Sequence, residues 1–148
     1  MQGLLKHIAT LGPVGHIPYA PGTFGTLAAF GCSLIFPLAP TAHVILIIVG
    51  FIVGSFASTA AERAFSQRDS RSIVIDEFVG YYVATLYIPS SLPLLIAAFA
   101  LFRLFDIIKP LMIQKLELTL SNGMGVMADD ILAGIYANMV LQVYLRVL

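Results

Sequence analysis

The sequence is short of charge and nearly without cysteine. Of its 148 residues only 11% are Asp, Glu, Lys or Arg, while 59% are hydrophobic. A water-soluble domain carries about 25% charged residues, so this chain has too little polar surface to cover a globule of its size. Its 8 basic and 8 acidic side chains cancel to a formal net charge of zero, which removes the electrostatic footprint of a nucleic-acid-binding protein. Cys32 is the single cysteine, in an apolar run; an internal disulfide and a cysteine-based metal site are excluded. The opening stretch, MQGLLKHIATLGPVGHIPYAPGT, lacks a continuous apolar core and an A-x-A site, so no cleaved signal peptide is expected there. Internal repeats and low-complexity segments are also missing.

What the chain does contain is apolar runs. They cover about Phe24–Leu38, His43–Ala61, Ile73–Ile88, Leu92–Ile108 and Ile131–Leu148, separated by Pro37 and Pro40, Pro89-Ser90-Ser91, Pro110 and Asn122-Gly123. The expected fold is an all-α integral membrane protein, one membrane-embedded domain over residues 1–148. It should have about five hydrophobic helices, and the first and third runs are short enough to re-enter rather than cross. The segment LMIQKLELTL (111–120) is too short and polar to cross and is expected to lie along the membrane surface as a short interfacial helix.

Basic residues gather in three places: Lys6, then Arg63, Arg68 and Arg71, then Lys109 and Lys115. The positive-inside rule puts these segments on the cytoplasmic side, with the C-terminus outside if all five runs cross. That orientation brings Asp76, Glu77, Asp106, Asp129 and Asp130 to the cytoplasmic membrane face, together with the Gly/Pro-rich stretch 12–26. So many acids at one interface need a positive partner, and a hard divalent cation such as Mg²⁺ takes carboxylate oxygens. No histidine lies at helical spacing from these acids, so zinc is disfavoured. Each acid taken singly is equally well a helix N-cap: Asp76 and Asp129 stand where helices should begin.

Arg103, Asp106 and Lys109 in FRLFDIIKP share one rough helical face. They read either as an ion pair with a snorkelling lysine, or as cations for an anionic group beside a metal-facing acid. In YAPGTFGT, Pro21-Gly22 is expected to turn and Thr23 to cap the first hydrophobic helix; the stretch reads equally as a plain helix cap or as backbone N–H groups open to an anion. His16, in the same loop, is a weak candidate.

Four motifs, YAPGTFGT (19–26), SIVIDEFVG (72–80), FRLFDIIKP (102–110) and NGMGVMADDILAG (122–134), in this order and spacing, resemble the bacterial phosphatidylglycerophosphatase A family. The likeness runs from about residue 8 to 140. Thr26 stands where that family commonly has serine, and Leu111-Met112 replaces a frequent tryptophan–proline. The resemblance implies a Mg²⁺-dependent phosphatase of the bacterial inner membrane, converting phosphatidylglycerophosphate to phosphatidylglycerol and phosphate. It assigns Asp76, Glu77, Asp129 and Asp130 to the metal, and Asp106 and Asp130 to catalysis. Arg103, Lys109, Pro21, Gly22 and Thr23 fall to the substrate.

The rival reading is an ion or proton-coupled transporter using the carboxylates as a path. The charge-free run 43–61 and the absence of inverted repeats weigh against it. No D-x-D of the soluble aspartate-nucleophile phosphatases and no D-G-x-x-A-R of the CDP-alcohol transferases occurs, and no cysteine stands near the motifs to carry a phosphate.

Overall fold

The computed structural model describes residues 2–110, 120 and 122–147, so the expected surface helix at 111–120 falls almost wholly outside the described residues. Those residues form helices and no strands. They are α1 (Gln2–Ala9), a 3₁₀ turn (Val14–His16), α2 (Pro21–Ile35), α3 (Pro40–Phe65), α4 (Ile75–Ala84), α5 (Leu92–Ile108) and α6 (Gly123–Val147). The five expected hydrophobic helices are thus present as α2 to α6.

Proline starts three of them: Pro21, Pro40 and Pro93 occupy the first or second helical position, where a missing N–H costs nothing and φ is already helical. Among the described residues, only α3 and α6, at 26 and 25 residues, are long and apolar enough to cross a bilayer. On α3, Ile45, Ile48, Ile52 and Phe56 all point outward. An apolar face of that extent calls for lipid, and the chain is a membrane protein.

The third apolar run has a different reason for its hydrophobicity. It yields only the ten-residue α4, about 15 Å long at about 1.5 Å per residue, too short for a hydrocarbon core of about 30 Å. Ile75, Val79, Tyr81, Tyr82, Val83 and Ala84 are all buried, and α4 packs on α2, α3, α5 and α6. It is the apolar centre of the bundle rather than a lipid-facing span, so a count of five crossings does not follow.

Small residues let the helices close on it. Gly25, Thr26, Ala29 and Ser33 form the buried side of α2, and Gly54, Ala57, Ser58 and Ala61 that of α3. One tight crossing is between α4 and α6. A methyl at Gly80 would stand 2.8 Å from the Asp130 carbonyl oxygen, and one at Gly134 would run into the Gly80 carbonyl. Such contact fixes α4 against α6 at one turn's distance from the acids.

The start of α6 differs from expectation. The Asn122-Gly123 pair was expected to separate elements, with the last helix beginning at Ile131; instead Gly123 is the first residue of α6. Its N–H donates to Thr59 Oγ1 at 3.1 Å, so the cap comes from α3. Asn122 supplies the left-handed turn before it, at φ 64°. Asp129 and Asp130 therefore sit about two turns inside α6 and do not cap it.

Candidate active site

Asp76 and Glu77 occupy the first turn of α4, Asp106 the last turn of α5, and Asp130 the second turn of α6. The α4–α6 crossing brings oxygens of Asp76, Glu77 and Asp130 within 4.8 Å of one another. Asp76 and Asp130 are 6% and 4% exposed. Two charges at this separation repel by about 3–4 kcal/mol at an effective dielectric constant of about 20, so the trio must be balanced by protons or by a cation.

Part of the balance comes from α5. The Arg103 guanidinium bonds Asp106 Oδ2 and lies 3.9 Å from Glu77 Oε1. One turn on, Lys109 closes α5 in the left-handed conformation, φ 44°, uncommon for a residue with a side chain and typical of sites held by their surroundings. Its Nζ donates to Asp129 Oδ2 at 3.1 Å. Asp129 was expected beside Asp130 at the metal; it lies outside the close trio, because neighbours on a helix point about 100° apart.

The N-terminus of α2 completes the wall. A Cβ on Gly22 would overlap Glu77 Oε1 and stand 3.4 Å from Arg103 Nη1; only glycine allows the backbone this close. The Pro21-Gly22 pair is the first turn of α2 rather than a separate turn, and Thr23 is inside the helix. The N-cap is Ala20, which has no side chain to do the capping. His16 is exposed and does not line the cavity at the acids.

That cavity has a volume of about 170 Å³, and its lining includes Asp76, Glu77, Asp106, Lys109, Asp129 and Asp130. It also includes Asp69, Ser70 and Arg71, from a loop whose basic residues served only to orient the chain. The spacing R-D-S-R carries no chemical signature, but Arg71, two residues before IVIDEF and five before Asp76, lies close enough in the chain to reach the site that Asp76 builds. Ile75 packs against Gly54 and Val79 against Gly50, which places Asp76 level with the middle of the charge-free run 43–61. From Ala61 that is about 10 Å along α3.

An all-helical membrane protein with a buried carboxylate cluster, flanked by a guanidinium and an ammonium at the floor of a cavity, is the class that fold and site define. Within it, the chain belongs to the phosphatidylglycerophosphatase A family, whose sequence profile matches residues 7–145. It is 40% identical to the phosphatidylglycerophosphatase A of Haemophilus influenzae, over 92% of this chain and 91% of that one. It is 32% identical to that of Escherichia coli K12, over 82% and 72%. A Bacteroides thetaiotaomicron protein with the provisional name phosphatidylinositol-3-phosphatase is 39% identical, over 87% and 86%. No solved structure matches the chain. The protein is a phosphatase, and transport is not favoured.

Proposed function

We propose that the protein hydrolyses phosphatidylglycerophosphate to phosphatidylglycerol and phosphate, using Mg²⁺ held by Asp76, Glu77 and Asp130 at the cytoplasmic side of the bacterial inner membrane. The observation that carries the metal is in the donor atoms. Asp76 Oδ1, Glu77 Oε2 and Asp130 Oδ2 are buried with no hydrogen-bond partner among the described residues. A polar atom left so costs about 1–3 kcal/mol, more when charged. An all-oxygen set suits Mg²⁺ and not a softer metal. When bound, the ion supplies charge neutralisation and polarises a phosphoryl oxygen.

The protein's own groups do the rest. Lys109 and Arg71 line the cavity and Arg103 stands at its Glu77 side, so three cations surround a phosphate entering from the loop side. Asp129 orients Lys109, a role different from metal ligation. Asp106, held by Arg103 and facing the cavity, can take a proton from an attacking water as oxygen bonds to phosphorus. The bond from phosphorus to the glycerol oxygen then breaks, and that oxygen takes the proton. Phosphoryl transfer needs mainly positioning and charge stabilisation, which this set provides. The basic loop with Arg63, Arg68 and Arg71 supports the cytoplasmic orientation.

The test is phosphate release from phosphatidylglycerophosphate by purified protein in detergent micelles, with Mg²⁺ and with EDTA, and with Asp130→Asn checked for folding. Phosphatidylinositol 3-phosphate is run alongside. Release that requires Mg²⁺ and disappears in the folded variant is expected. Release that persists in EDTA removes the metal, and preference for the inositol lipid removes the headgroup assignment.

A further inference from the structure

Between α2 and α5 runs an open apolar groove of about 310 Å³, lined by Leu27, Phe30, Ile96 and Phe99 with no polar wall. The Phe30 and Phe99 rings meet edge to face at 6.2 Å and form its floor. The groove is placed by the same two helices that carry the substrate side of the site. Leu27 stands one turn after Thr23 on α2, and Phe99 one turn before Arg103 on α5. A row of side chains at i, i+4 spacing lies along one helix face, so each wall continues a row that begins beside Gly22 or Arg103. From Arg103 to Ile96 is about 10 Å along the axis.

We infer that this groove holds one acyl chain of the lipid whose phosphate occupies the carboxylate cavity. The inference rests on the lipid-phosphatase reading above and adds how the substrate is held. Continuity decides the occupant: the polar end of the groove's helices is the phosphate-facing wall, and the remainder offers a chain of methylenes nothing but apolar contact. A second groove of similar size, walled by Ile52, Phe56 and Met124 together with the polar Ser55, Thr59 and Asn122, shares no helix row with Gly22 or Arg103. It serves as the control.

Two measurements on the full-length protein test this. The first compares a long-chain phosphatidylglycerophosphate with its dibutanoyl homologue, whose chains end before Ile96. Leu27→Trp fills the groove, and Ile52→Trp makes the same change in the control groove. Leu27→Trp is expected to raise KM for the long-chain lipid about tenfold, equivalent to about 1.4 kcal/mol. It should leave the dibutanoyl lipid and kcat unchanged, and Ile52→Trp should change neither. Equal effects on both lipids, no effect, or the same effect from Ile52→Trp overturns the inference.

The second needs no turnover. The chain has no tryptophan, so Ile96→Trp gives one fluorophore in the groove. In phosphatidylcholine bicelles containing EDTA, a chain-brominated phosphatidylglycerophosphate should quench it several-fold more than chain-brominated phosphatidylcholine at the same mole fraction. Equal quenching by both makes the groove ordinary lipid-facing surface; no quenching by either makes it a contact with a second copy. Each overturns the inference. Wild-type protein that releases no phosphate from either lipid instead sinks the phosphatase reading, and the quenching comparison still decides the groove.

Discussion

Lys109 Nζ sits 3.1 Å from Asp129 Oδ2 and joins the end of α5 to the second turn of α6. The lysine is partly exposed and the aspartate nearly buried, so the pair fastens a cation at the cavity wall. Lys109→Ala should lower stability by about 1–2 kcal/mol, the scale of a hydrogen bond to a charged group reduced for partial exposure. A double-mutant cycle with Asp129→Asn, followed by circular-dichroism melting in detergent, measures the coupling. Strict additivity would mean that the contact contributes nothing.

Gly22 is predicted to tolerate no side chain. Gly22→Ala must displace Glu77 or the start of α2, and a misplacement of about 1 Å can cost on the order of 100-fold in rate. The expected result is a folded protein with its melting temperature within a few degrees of wild type and most phosphate release lost. Full activity in Gly22→Ala would show that the approach of α2 to Glu77 is unimportant for the chemistry.

The buried carboxylates make a prediction of opposite sign for stability and activity. Without Mg²⁺, Asp130→Asn removes a like charge from the trio and should melt higher than wild type. With Mg²⁺ at about 100 times its Kd, wild type should gain about 2.7 kcal/mol by mass action, and the variant much less. Melts with EDTA and with Mg²⁺ provide the four numbers. A wild-type melting point indifferent to Mg²⁺ would remove the metal from this trio.

Arg71, exposed at the cavity mouth, should act on substrate capture. Arg71→Ala is expected to raise KM about tenfold, the loss of roughly 1.5 kcal/mol from one charge-assisted hydrogen bond, while kcat changes little. Added salt should narrow the difference. A fall in kcat at unchanged KM would place Arg71 in the chemical step instead.

Much of this site was legible in the sequence because its parts are chemically conspicuous. Acids and cations in an apolar chain stand out, and the four motifs located Asp76, Glu77, Arg103, Asp106 and Asp130, which the structure brings together. Four things were not legible, each for a physical reason. The cap of α6 is Thr59, far away in sequence, so the local Asn-Gly signal set the helix start too late and misplaced Asp129 with it. Pro21 begins α2 before Thr23, which leaves Thr23 inside the helix. A buried helix and a lipid-facing one are equally apolar, so the run 73–88 did not reveal that α4 is enclosed by protein. Asp69 and Arg71 were overlooked because a charged loop residue gives no sign of which cavity it borders.

The enclosure of α4 has a mechanical consequence. Bilayers differ in thickness, and spanning helices answer by tilting; here α3 and α6 present the lipid-facing surface that feels this load. The helix bearing Asp76 and Glu77 touches protein on all sides and is locked to α6 at Gly80 and Gly134. When α6 leans, Asp130 and its two partners lean together as one body. The spacing of the three acids is thereby insulated from the membrane around them, and the same catalytic geometry can be kept as lipid composition changes.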